Sequence, residues 1–354
     1  MASSFKPIGP SDVISTRTLL HEAIPITGTI VSGTYADGNV KNYAHGMFQS
    51  VYDYPYLSSS ANHIFDITTG YSAQSALSSS VVAAAQPAKK QNIYNQMAQL
   101  LVGYDITGSI QRFNSPDGAN DNFLNDVVFL SFSRLLAKDE IKKGSFQLNL
   151  GVQAARATPF AKVTAITDNN AATSYKVDSP AGEYATLFAT GNLNDTGYKP
   201  CGLLYYQAGI AVLTSSIFTS ANHGGGLIDN ADAIQWNDAA ISFTGSMINS
   251  EISASADALR NRIQLLQFNN TTELNSTIYF CRANHNEFNF SSNPTYTSAS
   301  KIAVKKQSTD TPVSYITTVG LYSADNVLLA VAKLSEPLRK DPTMEYTLRV
   351  RLDY

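Results

Sequence analysis

The closing nine residues alternate so regularly that they are expected to be extended chain packed into a sheet. From Tyr346 to Tyr354 the sequence reads Tyr-Thr-Leu-Arg-Val-Arg-Leu-Asp-Tyr. Side chains on a strand point to opposite faces with period two. Tyr346, Leu348, Val350, Leu352 and Tyr354 therefore share one face, and Thr347, Arg349, Arg351 and Asp353 the other. Upstream, Tyr315–Leu321 and Val327–Leu334 have the pattern of a hairpin, and with the closing strand they read as a β-meander. Chain ends are normally frayed, so an end inside the best-patterned strand is expected to be held by a sheet or by a neighbouring subunit.

A chain of 354 residues suggests two or three domains of roughly 100 to 200 residues each. Charged residues make up 15% of it and the formal net charge is −3, so charge gives a free monomer little protection from association. Such a balance carries no footprint for nucleic acid, which needs a clustered basic face. The short run Lys301, Lys305, Lys306 reads as a solvated strand edge. No apolar stretch approaches the ~20 residues that span a bilayer, so no membrane partner is expected. The opening MASSFKPIGP lacks the apolar region of a signal peptide, and folding in the cytoplasm of the producing cell is the expectation. Cys201 and Cys281 stand in strand-like apolar contexts without metal-ligand spacing, so both are expected to be buried and reduced.

Along the chain, four regions separate: 1–45, an N-terminal arm and first strands; 46–155, an α+β domain; 156–250, a β-rich middle lobe; and 251–354, a C-terminal β-module. Two prolines and a glycine in Lys6–Asp12 set an extended start, and Ser11 or Asp12 is placed to cap a short helical turn through Leu20. Ile24–Tyr35 reads as strand. Extended chain over Met47–Tyr56 would put Tyr52, Tyr54 and Tyr56 on one face, a row of large apolar bodies with polar tips suited to a core or an interface.

After Pro87, read as a breaker, the best helix is Lys89–Val102, with Ile93, Met97, Leu100 and Leu101 facing a sheet and Gly103 as its stop. Phe146, Leu148, Leu150 and Val152 mark an amphipathic strand, and Leu203–Leu213 a continuous apolar one. Thr219–Asn237, with Gly224–Gly226, reads as a long loop. A short helix near Ser255–Arg262 leads to a second hairpin, Ile263–Asn269 with Thr277–Asn284. The predicted class is mainly β to α+β, antiparallel sheets or sandwich modules with two or three helices.

Chemistry is thin. His223-Gly224-Gly225-Gly226 matches an esterase oxyanion loop, but the nearest nucleophile elbow, Gly70-Tyr71-Ser72-Ala73-Gln74, lacks its last glycine. His21-Glu22 opens like a zinc-protease helix and fails at Pro25. His45, His63 and His285 stand alone, and Asp117–Asp121 lacks the ligand spacing of a calcium loop. Asparagines 194, 269, 270, 275 and 289 precede x-Ser/Thr but read as polar turn composition. No catalytic, metal or cofactor residue is assigned, although sequence leaves paired carboxylates open.

Certain phrases carry a resemblance. Tyr315-Ile316-Thr317-Thr318-Val319-Gly320-Leu321-Tyr322, continued by Leu328–Leu334 and closed by Arg349–Tyr354, resembles the C-terminal module of virion structural proteins of contractile-tailed bacteriophages. Ile14–Gly28, together with Gln49–Ser58, looks like the same family as found in large myophages of marine cyanobacteria. The resemblance covers about the first 155 residues and the last 90. It implies a non-enzymatic subunit of a virion tail or baseplate, made in the host cytoplasm, which self-associates and binds other tail proteins. Tyr52, Tyr54, Tyr56, Arg349, Arg351 and Tyr354 are the expected interface, and both arginines should meet an acidic or carbonyl-rich partner surface. Two other readings stand beside it: a tail-fibre attachment or receptor-binding protein, and a glycan-cleaving tail enzyme.

Overall fold

The protein is described by a computed structural model over residues 5–25, 37–75, 78, 85–115, 123–151, 163–190, 199–215, 251–260, 263–291, 297–298, 301–302, 307 and 309–354. It is mainly β with large antiparallel sheets and a few helices, the predicted class. Two compact units divide it: residues 20–272, and residues 1–19 with 273–354. The composition-based boundaries at 45, 155 and 250 are different divisions of the chain.

The 20–272 unit holds the hydrophobic core. Its strands are β2 (Val40–Asn42), β3 (Gln49–Tyr52), β4 (His63–Tyr71), β5 (Asp126–Phe132), β6 (Glu140–Ile141), β7 (Gln147–Gly151), β8 (Val163–Thr167), β9 (Lys176–Ser179), β10 (Gly182–Thr190), β11 (Lys199–Tyr205) and β12 (Ile210–Thr214), following β1 (Val13–Pro25), with β13 (Ile263–Ala283) after them. The ladder runs β13-β7-β8-β10-β11-β12-β5-β4-β3-β2. Central strands are buried on both faces. In β5, Val128 and Leu130 join one core cluster while Val127 and Phe129 join the other. Such strands lose polar alternation and read as unbroken apolar runs.

That explains one correction. Leu203–Leu213 is a hairpin, β11 and β12, and not a single strand. Its turn ends at Gly209, whose φ of +66° suits glycine and whose N–H bonds to the Tyr205 carbonyl at 2.9 Å. Apolar residues on both sides of the turn hide it in the sequence.

Helix α1 (Ala85–Leu101) starts earlier than expected, with Pro87 inside its first turn. The first amides of a helix lack intrahelical acceptors, so proline removes no bond there. The helix buries Ile93, Tyr94, Ala98 and Leu101 but leaves Leu100 57% exposed, so Leu100 is not on the packing face. It ends as predicted before Gly103, whose N–H reaches the Ala98 carbonyl. The helix lies close on β4 because Gly70 has no side chain: a Cβ there would sit 2.9 Å from the Lys90 carbonyl oxygen and the Tyr94 nitrogen. Two one-turn helices, α2 (Arg134–Ala137) and α3 (Ala171–Ser174), and then α4 (Ile252–Arg260) complete the helices among the described residues; α4 buries Ala256 and Leu259. Asp168, fully buried, accepts bonds from the amides of Gly144 (2.7 Å) and Phe146 (3.0 Å) and from the Tyr206 hydroxyl (2.9 Å).

The other unit is built on β1, β13 and β18 (Tyr346–Asp353). A short pair, β14 (Thr297–Ser298) and β15 (Lys301–Ile302), and a long hairpin, β16 (Ser314–Tyr322) and β17 (Leu328–Lys340), form separate two-stranded sheets. Three expectations are corrected here. After a single turn at Pro10–Asp12 the chain is strand from Val13, because Val, Ile and Thr favour extended backbone over the expected helical turn. The closing strand forms no meander: β18 pairs with β13 over eight residue pairs, from Ser276↔Asp353 to Ala283↔Tyr346, and not with β17. The second hairpin does not exist either. Ile263–Ala283 is one strand of 21 residues, and its 270–276 stretch contains no glycine or proline to turn it. Asn269, Asn270 and Asn275 therefore lie in a strand, not in turns.

Candidate functional site

The most informative surface is the unit of residues 1–19 and 273–354, because its described residues lack the buried apolar core that a unit of about 100 residues normally has. Both hydrophobic clusters lie wholly within residues 40–268. Among its own described residues only Ala283, Leu321 and Val350 are buried apolar groups. Its central strand is half-covered on both faces: Ile278, Tyr279, Phe280 and Cys281 are each only part-buried. A lone two-stranded hairpin is marginal in water, yet β16–β17 presents apolar side chains outward. Leu329 is 68% exposed and Val331 53%, with Leu328 and Tyr322 exposed beside them.

Polar bonds stiffen this surface. The Phe5 ring lies 4.5 Å from that of Tyr322, and the Lys6 ammonium pairs with Glu287 at 2.5 Å. Arg282 pairs with Asp12 at 2.7 Å, and Arg17 with Glu273. At the hairpin base, Ser314 donates to the Phe288 carbonyl and buried Lys340 is held by three oxygens. At its tip, the Ser323 hydroxyl accepts from the Val327 amide at 3.2 Å.

Of the interface residues expected from sequence, three sit on or just past β18. Arg349 is exposed. Arg351 pairs with Asp353 at 2.7 Å and donates to the Ser276 hydroxyl at 3.0 Å. The hydrogen bond from Ser276 and the Arg351 guanidinium hold the Asp353 carboxyl below its ordinary range. Tyr354 is 74% exposed, yet its backbone exchanges both hydrogen bonds with Asn275 (2.8 and 3.1 Å).

The tyrosine row belongs to the other unit and is not a row. Only Tyr52 is in a strand; the Asp53 carboxylate takes the amides of Tyr54 and Asn62 (2.8 and 2.6 Å) and turns the chain there. Tyr52 and Tyr56 remain 6.4 Å apart, and His63 lies edge-on to Tyr52 at 5.6 Å. Burial, chiefly, raises the Tyr52 hydroxyl pKa.

The remaining chemical candidates have structural partners. His21 bonds Thr271 at 3.1 Å and Glu22 pairs with Lys138 at 2.5 Å. His63 pairs with Asp66 at 2.8 Å, and His285 with Glu345 at 3.2 Å. Cys201 is buried and Cys281 part-buried; both are free thiols, and burial pushes both upward, away from thiolate reactivity. No cluster of three metal-ligating side chains occurs among the described residues. No helix among them is long and apolar enough to cross a membrane. His223–Gly226, Asp117–Asp121 and Thr219–Asn237 lie outside the described residues.

Sequence reasoning missed the outward-facing apolar residues of β17. A signal was present: Leu328-Leu329-Ala330-Val331-Ala332 is apolar at every position, which a half-solvated strand does not need. Comparison with protein-family models, curated proteins and solved structures finds no match to the chain.

Proposed function

We propose that the chain is a non-enzymatic structural subunit of a bacteriophage virion, positioned in the tail baseplate, which holds its neighbours through residues 1–19 and 273–354. The observation that carries this reading is the scarcity of buried apolar side chains in that unit, set against its exposed Leu328, Leu329 and Val331. A surface of this kind gains hydrophobic free energy of ~25 cal/mol per Å² when a partner covers it. Interfaces of permanent assemblies are built in this way, resembling a domain core cut in half. The phrase-level resemblance of β16, β17 and β18 to phage tail proteins supplies the setting. In this role the ion-paired arm and the hairpin set geometry, and neighbouring subunits complete the core.

Electron microscopy of intact particles tests it. The expected result is density for this chain in the baseplate, with residues 314–340 and 346–354 covered by other proteins. Density in the capsid, or a hairpin fully solvated in the assembled tail, overturns the reading.

A further inference from the structure

A cleft of about 280 Å³ opens on the 20–272 unit beside β2, lined by Asn42, Tyr43, Phe48, Lys89, Glu251 and Ser253 among others. It is just below the ~300–1,000 Å³ of typical small-molecule sites, room for one ring and not for a chain. One wall is aromatic. Tyr43 and Phe48 lie 4.8 Å apart at 47°, and His45 is 5.1 Å from each. His45 stacks on Tyr43 and the Lys41 ammonium lies 4.7 Å over the Tyr43 ring, so part-buried Phe48 is the ring left to meet a ligand.

The other walls carry donors and acceptors of both signs. Lys89 is steadied by the His45 carbonyl at 2.9 Å and keeps further N–H donors. Asn42 already accepts at its Oδ1 from buried Gln49 at 2.9 Å, which leaves its Nδ2 as the donor on offer. Among the described residues, the exposed Glu251 carboxylate takes only a long bond from Ser253, 3.4 Å, and offers acceptors.

This inventory selects a ligand class. An apolar guest would strip water from Lys89 and Glu251 with nothing in return. A nucleic acid would bring phosphates against Glu251 on a chain of formal charge −3. A sugar ring fits both halves, because each hydroxyl donates and accepts, while its polarised C–H edges suit the negative face of an aromatic ring. We propose that this cleft holds one hexose-sized ring of a neutral saccharide. The proposal does not depend on the virion reading, and its site shares no residue with the β16–β17 surface.

The test is calorimetric titration of the full chain with a panel of neutral hexoses, N-acetylhexosamines and short oligosaccharides, with free amino acids and short peptides as controls. The expected result is saturable binding of at least one saccharide, weakened about tenfold or more by Phe48→Ala and by Glu251→Gln. Glu251 is exposed, so Glu251→Gln keeps the test valid should Phe48→Ala fail to fold. Absence of saturable binding across the saccharides, binding undiminished in Glu251→Gln, or binding of an amino acid or peptide in their place overturns the proposal.

Discussion

The Lys340 ammonium stands 2.6 Å from Asn289 Oδ1, wholly buried, with the carbonyls of Asp341 and His285 at 3.0 and 3.2 Å. This triple contact ties the end of β17 to the 284–289 turn, in a unit with few apolar contacts to spare. Replacing Lys340 by Met removes charge-assisted bonds worth roughly 1.5–3 kcal/mol each and leaves the Asn289 oxygen unpaired. The expected outcome is faster amide exchange across β16 and β17 and earlier proteolysis there, with the 20–272 unit unchanged. Wild-type exchange rates in the hairpin would show that Lys340 does not hold it.

On the proposed role in a tail, Leu329→Asp separates folding from assembly. The side chain already faces solvent, so the free chain should keep its stability within about 0.5 kcal/mol. Incorporation into particles should fall sharply, because a carboxylate would be buried at the contact without a partner. Counting the chain per purified tail by quantitative mass spectrometry decides it; normal incorporation removes the hairpin from the interface.

Gly70→Ala strikes the seat of α1 on β4. The new methyl meets two backbone atoms at 2.9 Å, which no side-chain rotation relieves. Overpacking of this kind costs about 1–3 kcal/mol. Urea denaturation should show the lowered midpoint, and an unchanged midpoint would mean that the helix can move away freely.

Burial lowers the pKa of Lys90, on the inner face of α1, to about 8. In the unfolded chain a lysine titrates near ~10.4. Between these values the unfolded state binds more protons, so this residue makes stability rise with pH across that window and carries its full cost below about 8. Lys90→Met should flatten that rise, because it removes the group whose proton uptake differs between the two states. Parallel urea melts of both proteins at pH 7 and pH 10 measure the difference; equal slopes would refute the assignment.

Much of the fold could be read from the chain where one physical cause dominated. The faces of β18 and the amphipathic β7 followed from period-two alternation, and the end of α1 from Gly103. Failures came where pairing is set by distant residues. Nothing local to Tyr346–Asp353 says that its ladder partner is Ser276–Ala283 and not the hairpin just before it. Nothing local to Asn270–Ser276 says that β6 and β18 will take up its backbone bonds and keep it extended. Of the residues named as an expected interface, the exposure of Arg349 and Arg351 was legible because alternation separates the two faces of their strand, whereas Tyr354, on the apolar face by alternation, is 74% exposed. The tyrosine row was misread because the Asp53 carboxylate, by taking two amides, turns the chain inside it.

Among the described residues β18 pairs with β13 alone, and no described strand takes its far edge. Bare edges template indiscriminate pairing between identical chains. Arg349, Arg351 and Asp353, all exposed, place a charge at every second position along that edge strand. Those charges oppose the stacking of free copies edge to edge into fibrils, so an edge that carries no strand need not be a sticky one.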